Sequence, residues 1–159
     1  MTKKKINHQK LGMVDVSHKP ITKRIAIASA TIAMSKVTFM ALMKNRSPKG
    51  NVLEAAKIAG IMAAKKTPDI IPLCHPLEIQ KVNVEFELSR LDCSVLAKAT
   101  VICLGRTGVE MEALTAATVA VLTIYDMMKW SDRTMVIKDI ILLHKNGGKS
   151  GSYNRKKKQ

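Results

Sequence analysis

Glu112 and Asp126 frame thirteen uncharged residues, Ala113 to Tyr125, and Lys129 follows Asp126 by three positions. A run this apolar belongs in a core, where an ionised group costs several kcal/mol unless it is paired or used. Glu110 and Glu112, at the start of the run, differ by roughly 200° around a helix and cannot share a direction. Thr107-Gly108-Val109-Glu110 has the Ser/Thr-x-x-Glu pattern of a capping box. That pattern offers Glu110 an ordinary structural role and leaves Glu112 as the better site candidate. Asp126 and Lys129 share a face if the segment is helical. They form either a surface ion pair or an acid/base pair whose pKa values are tuned by neighbouring charges.

Three other places carry chemistry-bearing residues. In Ile70-Ile71-Pro72-Leu73-Cys74-His75-Pro76, two prolines bracket His75. Prolines four apart exclude a regular helix and disfavour a central strand. The imidazole sits in a rigid loop, either as a structural residue or as a ligand or proton-transfer group. Cys74 and His75 are adjacent and have no partners at metal-ligand spacing, so no metal site is expected. Lys49 lies in the turn Ser47-Pro48-Lys49-Gly50, just before a helix start at Asn51. Anions bind naturally there, although a solvated lysine fits the pattern too. Gly147-Gly148-Lys149-Ser150-Gly151 resembles the end of a phosphate loop, but Leu143 stands where a Walker A motif needs its first glycine. The stretch is either an anion nest of backbone amides with Lys145 and Lys149, or a flexible end.

The elements that must position these residues follow from periodicity. Residues 21–33 read as a strand, with Ile21, Ile25 and Ile27 on one side and Arg24 on the other. Residues 35–44 read as a helix, and 51–65 as a second helix capped by Asn51. The second helix is rich in Ala and Gly60, which permits close packing, and Thr67-Pro68-Asp69 stops it. Val82, Val84, Phe86 and Leu88 alternate with Asn83, Glu85 and Glu87, the pattern of a half-buried strand. Residues 94–104 form a second, more apolar strand across a hairpin at 90–92. A helix over 107–130 and a last strand from about 134 to 144 complete the order β-α-α-β-β-α-β. No internal repeat is visible. The order predicts an α+β, ferredoxin-like fold, with helices on one face of an antiparallel sheet of about four strands. The open face of so small a sheet suits a second subunit.

Bulk properties bound the function. The 159 residues suit a single domain with a real core. Basic flexible tails are expected at about 1–12 and 152–159. No uncharged apolar run reaches ~18 residues and the N-terminus lacks a signal-peptide core, so neither a membrane span nor export is expected. Three cysteines without a CxxC pair favour reduced thiols in a cytoplasm. The net charge of +15 first suggests nucleic acid, but the tails hold eight of the cationic residues and no acid, leaving +7 for the remainder. That balance is enough for a polyphosphate ligand, and 3% aromatic residues make a poor base-stacking surface. A basic RNA-binding protein and a non-catalytic nucleotide-binding oligomer remain as alternatives to an enzyme.

Taken together, several segments resemble one family. Met13-Val14-Asp15-Val16-Ser17, Thr22-x-Arg24, Lys49-Gly50, AGIMAAKKTPDIIPLCHPL at 59–77, TGVEMEALTAATVAVLTIYDM at 107–127 and GGKSG at 147–151 are similar to the cyclic pyranopterin monophosphate synthases, the molybdenum cofactor biosynthesis proteins C. The likeness runs over about residues 13–151 in one register. It implies a lyase that converts 3′,8-cyclo-7,8-dihydro-GTP to cyclic pyranopterin monophosphate and releases pyrophosphate. It places catalytic groups at Asp126, Lys129 and Lys49. It places substrate contacts at Leu73, Cys74, His75, Met111 and Glu112, with Arg24, Lys19, Lys145 and Lys149 as further basic positions. The resemblance also implies a ferredoxin-like subunit in a homohexamer, a trimer of dimers, and neither nucleic-acid nor membrane partners. No cofactor is expected, and any need for Mg²⁺ is left open at this level. Asn51 replaces an acid expected in many relatives, and Met128 and Trp130 lie where small residues or Cys are common.

Spacing adds one expectation of its own. Fourteen helical residues place Glu112 and Asp126 on nearly the same face but ~21 Å apart. One nucleotide does not reach both within a single chain, so the site is expected to straddle a subunit interface.

Overall fold

In the computed structural model, which describes residues 11–156, the chain runs β1 (Thr22–Ala33), α1 (Lys36–Met43), α2 (Val52–Lys65), α3 (Thr67–Ile70), β2 (Ile79–Ser89), β3 (Ser94–Gly105), α4 (Glu110–Met128), β4 (Val136–Asn146) and β5 (Tyr153–Asn154). The sheet is antiparallel with strand order β2-β3-β1-β4-β5. Its first four strands have the ferredoxin-like order expected from the sequence. The fifth is a two-residue addition, and the short α3 carries the chain one turn beyond the stop expected at Thr67.

Local chemistry accounts for the boundaries. Ser35 caps α1 by accepting the Thr38 amide, and Asn51 caps α2 by accepting the Glu54 amide. The core lies between one sheet face and the helices. Ala26, Ala28, Ala30 and Ile32 of β1 and Val95, Ala97, Ala99 and Val101 of β3 are wholly buried. The side of β1 beneath the helices is thus the alanine side that also carries Arg24, not the isoleucine side. Small residues there let α4 lie close on the sheet.

Helices α2 and α4 also pack closely. A Cβ built on Gly60 would sit 2.9 Å from the Ala116 carbonyl oxygen, inside ordinary contact distance. By length and composition α4 is apolar enough to cross a membrane. Its apolar face is used here instead, with Ala113, Ala116, Ala117, Ala120, Val121 and Ile124 wholly buried. Packing on β1, β3 and α2 fixes both ends of the helix relative to the surrounding loops.

The C-terminal stretch departs from the flexible tail expected beyond 152. Tyr153 and Asn154 pair with Lys145 and His144, and His144 Nδ1 lies 2.7 Å from Asn154 Oδ1. Residues 147–151 therefore belong to a closed hairpin loop, not a free end. Gly147 has φ +97°, and a Cβ there would collide with the Lys23 carbonyl, so the turn out of β4 requires glycine. Of the expected tails, residues 1–10 and 157–159 lie outside the described residues.

Candidate active site at the two ends of one helix

At the C-terminal end of α4, Asp126 lies between two lysines. Its Oδ2 accepts from Lys49 Nζ at 2.6 Å and its Oδ1 from Lys129 Nζ at 2.7 Å. A carboxylate at a helix C-terminus faces an unfavourable dipole and needs cations beside it. The hydrogen bonds from Lys129 and then Lys49 supply them and hold the Asp126 carboxyl down to about 2. All three side chains are about half exposed, so solvent can reach them. They line a cavity of about 480 Å³ with Pro48, Trp130 and Arg133.

The Lys49 turn is fastened to the helix by a residue the sequence did not single out. Ser47 is buried; its hydroxyl donates to the Met127 carbonyl at 3.0 Å and accepts from the Lys49 amide at 3.2 Å. One hydroxyl thus connects the backbone beside Asp126 to the backbone of Lys49. A serine before Pro-Lys-Gly reads as turn chemistry, which hides this long-range bond.

The other expected residues gather at the N-terminal end of α4. Leu73, Cys74 and His75 of the proline-bracketed loop face Met111 and Glu112 across a cavity of about 300 Å³. Glu112 is 2% exposed, and burial raises its pKa, with the Glu110 charge adding to the effect. Burial also raises the Cys74 thiol, and Glu112 pushes it further, which opposes a thiolate.

A larger cavity of about 940 Å³ adjoins this one through Thr107, Gly108 and Glu110. Lys19, Arg24, Lys145 and Lys149 line it, as do Arg106 and the Gly147–Ser150 loop. The arrangement brings side-chain cations and a turn of backbone amides around one space, which suits a polyanion.

Two readings change here. Glu110 is not a capping residue: Val109 is the N-cap of α4 and makes no side-chain cap bond. Glu110 reaches instead to Lys145 Nζ at 3.0 Å, because the turn after Gly105 starts the helix two residues later than the Thr107 pattern implies. Arg24 has a role in the scaffold as well as a place in the cavity. Buried at 7% exposure, it donates from Nε to the Gly105 carbonyl at 3.2 Å and from Nη2 to the Arg106 carbonyl at 3.1 Å. Its Nη1 lies beside Gly148.

Arg106 is a further residue that sequence reasoning passed over. It holds the arm before β1 against the cavity by donating to the Ser17 carbonyl at 2.7 Å and to the Lys19 carbonyl. Among the described residues, no group of three or more His, Cys, Asp or Glu side chains is placed to hold a metal ion.

The candidate residues therefore fall into two sets separated by α4. Lys49, Asp126 and Lys129 stand at one end. Lys19, Arg24, Leu73, Cys74, His75, Met111, Glu112, Lys145 and Lys149 stand at the other. With Asp126 fourteen positions beyond Glu112 on one helix, the sets are ~21 Å apart along the axis.

The family that the sequence motifs resemble is also the one that known proteins match over most of the chain. A model described as the MoaC family matches residues 13–148. The cyclic pyranopterin monophosphate synthase of Pelobacter propionicus is 54% identical over 147 residues, covering 92% of each chain. That of Campylobacter lari is 53% identical over 149 residues and 94% of each chain. That of Novosphingobium aromaticivorans is 55% identical over 143 residues, 89% of this chain and 88% of the relative.

Proposed function

The chain belongs to the MoaC family, and we propose that the two ends of α4 carry complementary parts of its active site. It is a cyclic pyranopterin monophosphate synthase, a lyase of molybdenum cofactor biosynthesis. This assignment takes precedence over the RNA-binding and non-catalytic readings that the charge alone left open. The substrate is 3′,8-cyclo-7,8-dihydro-GTP, and the products are cyclic pyranopterin monophosphate and pyrophosphate.

The cavity with Lys19, Lys145, Lys149 and the Gly147–Ser150 loop holds the triphosphate. Closing a cyclic phosphate requires an internal hydroxyl to attack the α-phosphorus while the bond to pyrophosphate breaks. Cations around that leaving group stabilise its growing charge. Lys145 is held ready by Glu110 at 3.0 Å and by Ser150 Oγ at 3.3 Å. His75 and Glu112 face the ring portion beside this cavity. Lys49, Asp126 and Lys129 form a hydrogen-bonded relay for the proton transfers of ring opening and reclosure.

The observation that carries this reading is the separation of the two sets by the length of α4. A single nucleotide does not bridge them within one chain, so one subunit supplies the anion cavity and a neighbour supplies Asp126 and its lysines. The open sheet face and the family resemblance support a homohexamer with the sites between subunits, and three free thiols suit a cytoplasmic location.

Complementation tests the arrangement. Asp126→Ala and Glu112→Ala chains are each inactive alone. Mixed assemblies, verified by mass, regain activity because some interfaces combine two intact halves. No recovery in verified mixtures rejects the shared site.

A further inference from the structure

Trp130, the chain's single tryptophan, is 53% exposed in the wall of the cavity that holds Lys49, Asp126 and Lys129. We propose that Trp130 contacts substrate: its indole is the stacking wall for the ring system whose protons Asp126 and the two lysines move. This rests on the reading of that cavity as the reacting end of the site.

The backbone that carries the indole is held from both sides. The Lys129 amide donates to Tyr125 O at 2.9 Å and the Ser131 amide to Met128 O at 2.9 Å. Asp132 accepts from the Ser35 amide and from both the amide and hydroxyl of Thr134. Ser131 Oγ bonds Thr38 Oγ1, and Tyr125 Oη donates to the Arg133 carbonyl. The turn is thus tied to the start of α1 and to the body of α4. A side chain on so constrained a turn presents a preorganised surface.

Of the five aromatic side chains, Trp130 and Tyr153 are exposed, and of these two Trp130 lies beside Asp126 and its lysines. Phe39 is buried and Phe86 packs on the core. Tyr125 is half-buried and bonded. Trp130, the largest apolar side chain available, is half exposed and lines a cavity whose other walls are Pro48 and charged residues. Lysines and a carboxylate can exchange protons with a heterocycle, but they offer it no flat apolar face. Pro48 and Trp130 do. Stacking a base on an aromatic side chain is worth about five- to 150-fold in affinity.

Because Trp130 is the only indole, its emission reports this cavity alone. The test uses the assembled full-length protein and 3′,8-cyclo-7,8-dihydro-GTP, with inorganic tripolyphosphate as competitor. Mixing with substrate changes the emission within the first turnover. Tripolyphosphate inhibits without changing it. Trp130→Ala raises KM at least about fivefold, and Trp130→Phe, which keeps a ring, restores most of the loss. In both variants the tripolyphosphate inhibition constant and the assembly mass stay as in the parent. An unchanged KM in Trp130→Ala overturns the proposal, as does an emission that ignores substrate. A lower assembly mass with both ligands weakened also overturns it, by placing the indole in a subunit contact. If the parent protein does not turn over this substrate at all, the functional reading itself fails, and that result is separate from every Trp130 outcome.

Discussion

Lys49 Nζ stands 2.6 Å from Asp126 Oδ2 although 77 positions separate the two residues in the chain. The pair joins a turn before α2 to the last turn of α4. With Lys129 on the other oxygen, it makes a carboxylate that stays ionised far below neutrality. The titration consequence has a definite sign. Asp126 is pushed down to about 2 from an ordinary value of 3.8, so it binds its proton less readily when folded. Its contribution to stability is present above about pH 4 and is lost as the pH falls toward about 2. The parent protein should be more stable than Asp126→Asn at pH 6, and the two should converge in that acid window. Thermal unfolding from pH 6 down to pH 2 checks this; a constant difference across the window counts against the pairing.

Ser47 should matter to turnover more than to folding. Ser47→Ala removes the hydroxyl that connects the Met127 carbonyl to the Lys49 amide. Freed from it, the turn lets Lys49 drift from Asp126, and small misplacements of a reacting group are costly. The expected outcome is a kcat about tenfold lower with KM within about twofold, and substantial rescue by Ser47→Thr. Steady-state kinetics on both variants decide the matter.

Glu112 carries the opposite titration. Burial raises its pKa above the ordinary 4.5, so the ionised form is the disfavoured one in the fold. The cost is absent below about pH 4.5, grows as the pH rises from there through the raised pKa, and then levels off. Glu112→Gln should therefore melt higher than the parent at neutral pH, with the gap closing toward pH 4, while its catalytic activity falls at least about tenfold. A stabilised but impaired variant is the signature of a charge kept for function. Equal melting temperatures at pH 4 and pH 7 would count against it.

Gly60 tests the packing that sets the distance between the two ends of the site. Gly60→Ala gains about 1 kcal/mol of helix propensity. Its Cβ meets the Ala116 carbonyl at 2.9 Å and Val84 Cγ2 at 3.2 Å, and forcing the helices apart costs about 1–3 kcal/mol. The net expectation is a loss of up to about 2 kcal/mol. Urea unfolding at fixed protein concentration, with an unchanged slope, measures it.

Much of the local geometry of the candidate site was legible before any fold was known. The Pro72–Pro76 bracket announced an irregular loop, and the loop places His75 and Cys74 across a cavity from Glu112. The three-residue spacing of Asp126 and Lys129 announced a shared face, and the two meet at 2.7 Å. Each signal is local, because helical and turn geometry fix which neighbours can touch. Glu110 shows where local reading stops. Its capping pattern was sound chemistry, but its actual partner, Lys145, lies on a strand 35 positions away. The Gly147–Gly151 stretch likewise reads as either a nest or a flexible end until Tyr153 and Asn154 pair back onto β4.

The sequence by itself determined the order of the main elements, the cap at Asn51, the half-buried alternation of β2 and the motifs that place the chain in its family. These depend on backbone periods and on side chains that bond within a few residues. Only the tertiary structure decided that Lys49 joins Asp126, that Ser47 fastens the two, and that Arg24 braces the Gly105 turn while facing the anion cavity. Those choices depend on how closely the small residues of α2, α4 and β1 let the layers approach, and no local period encodes that distance.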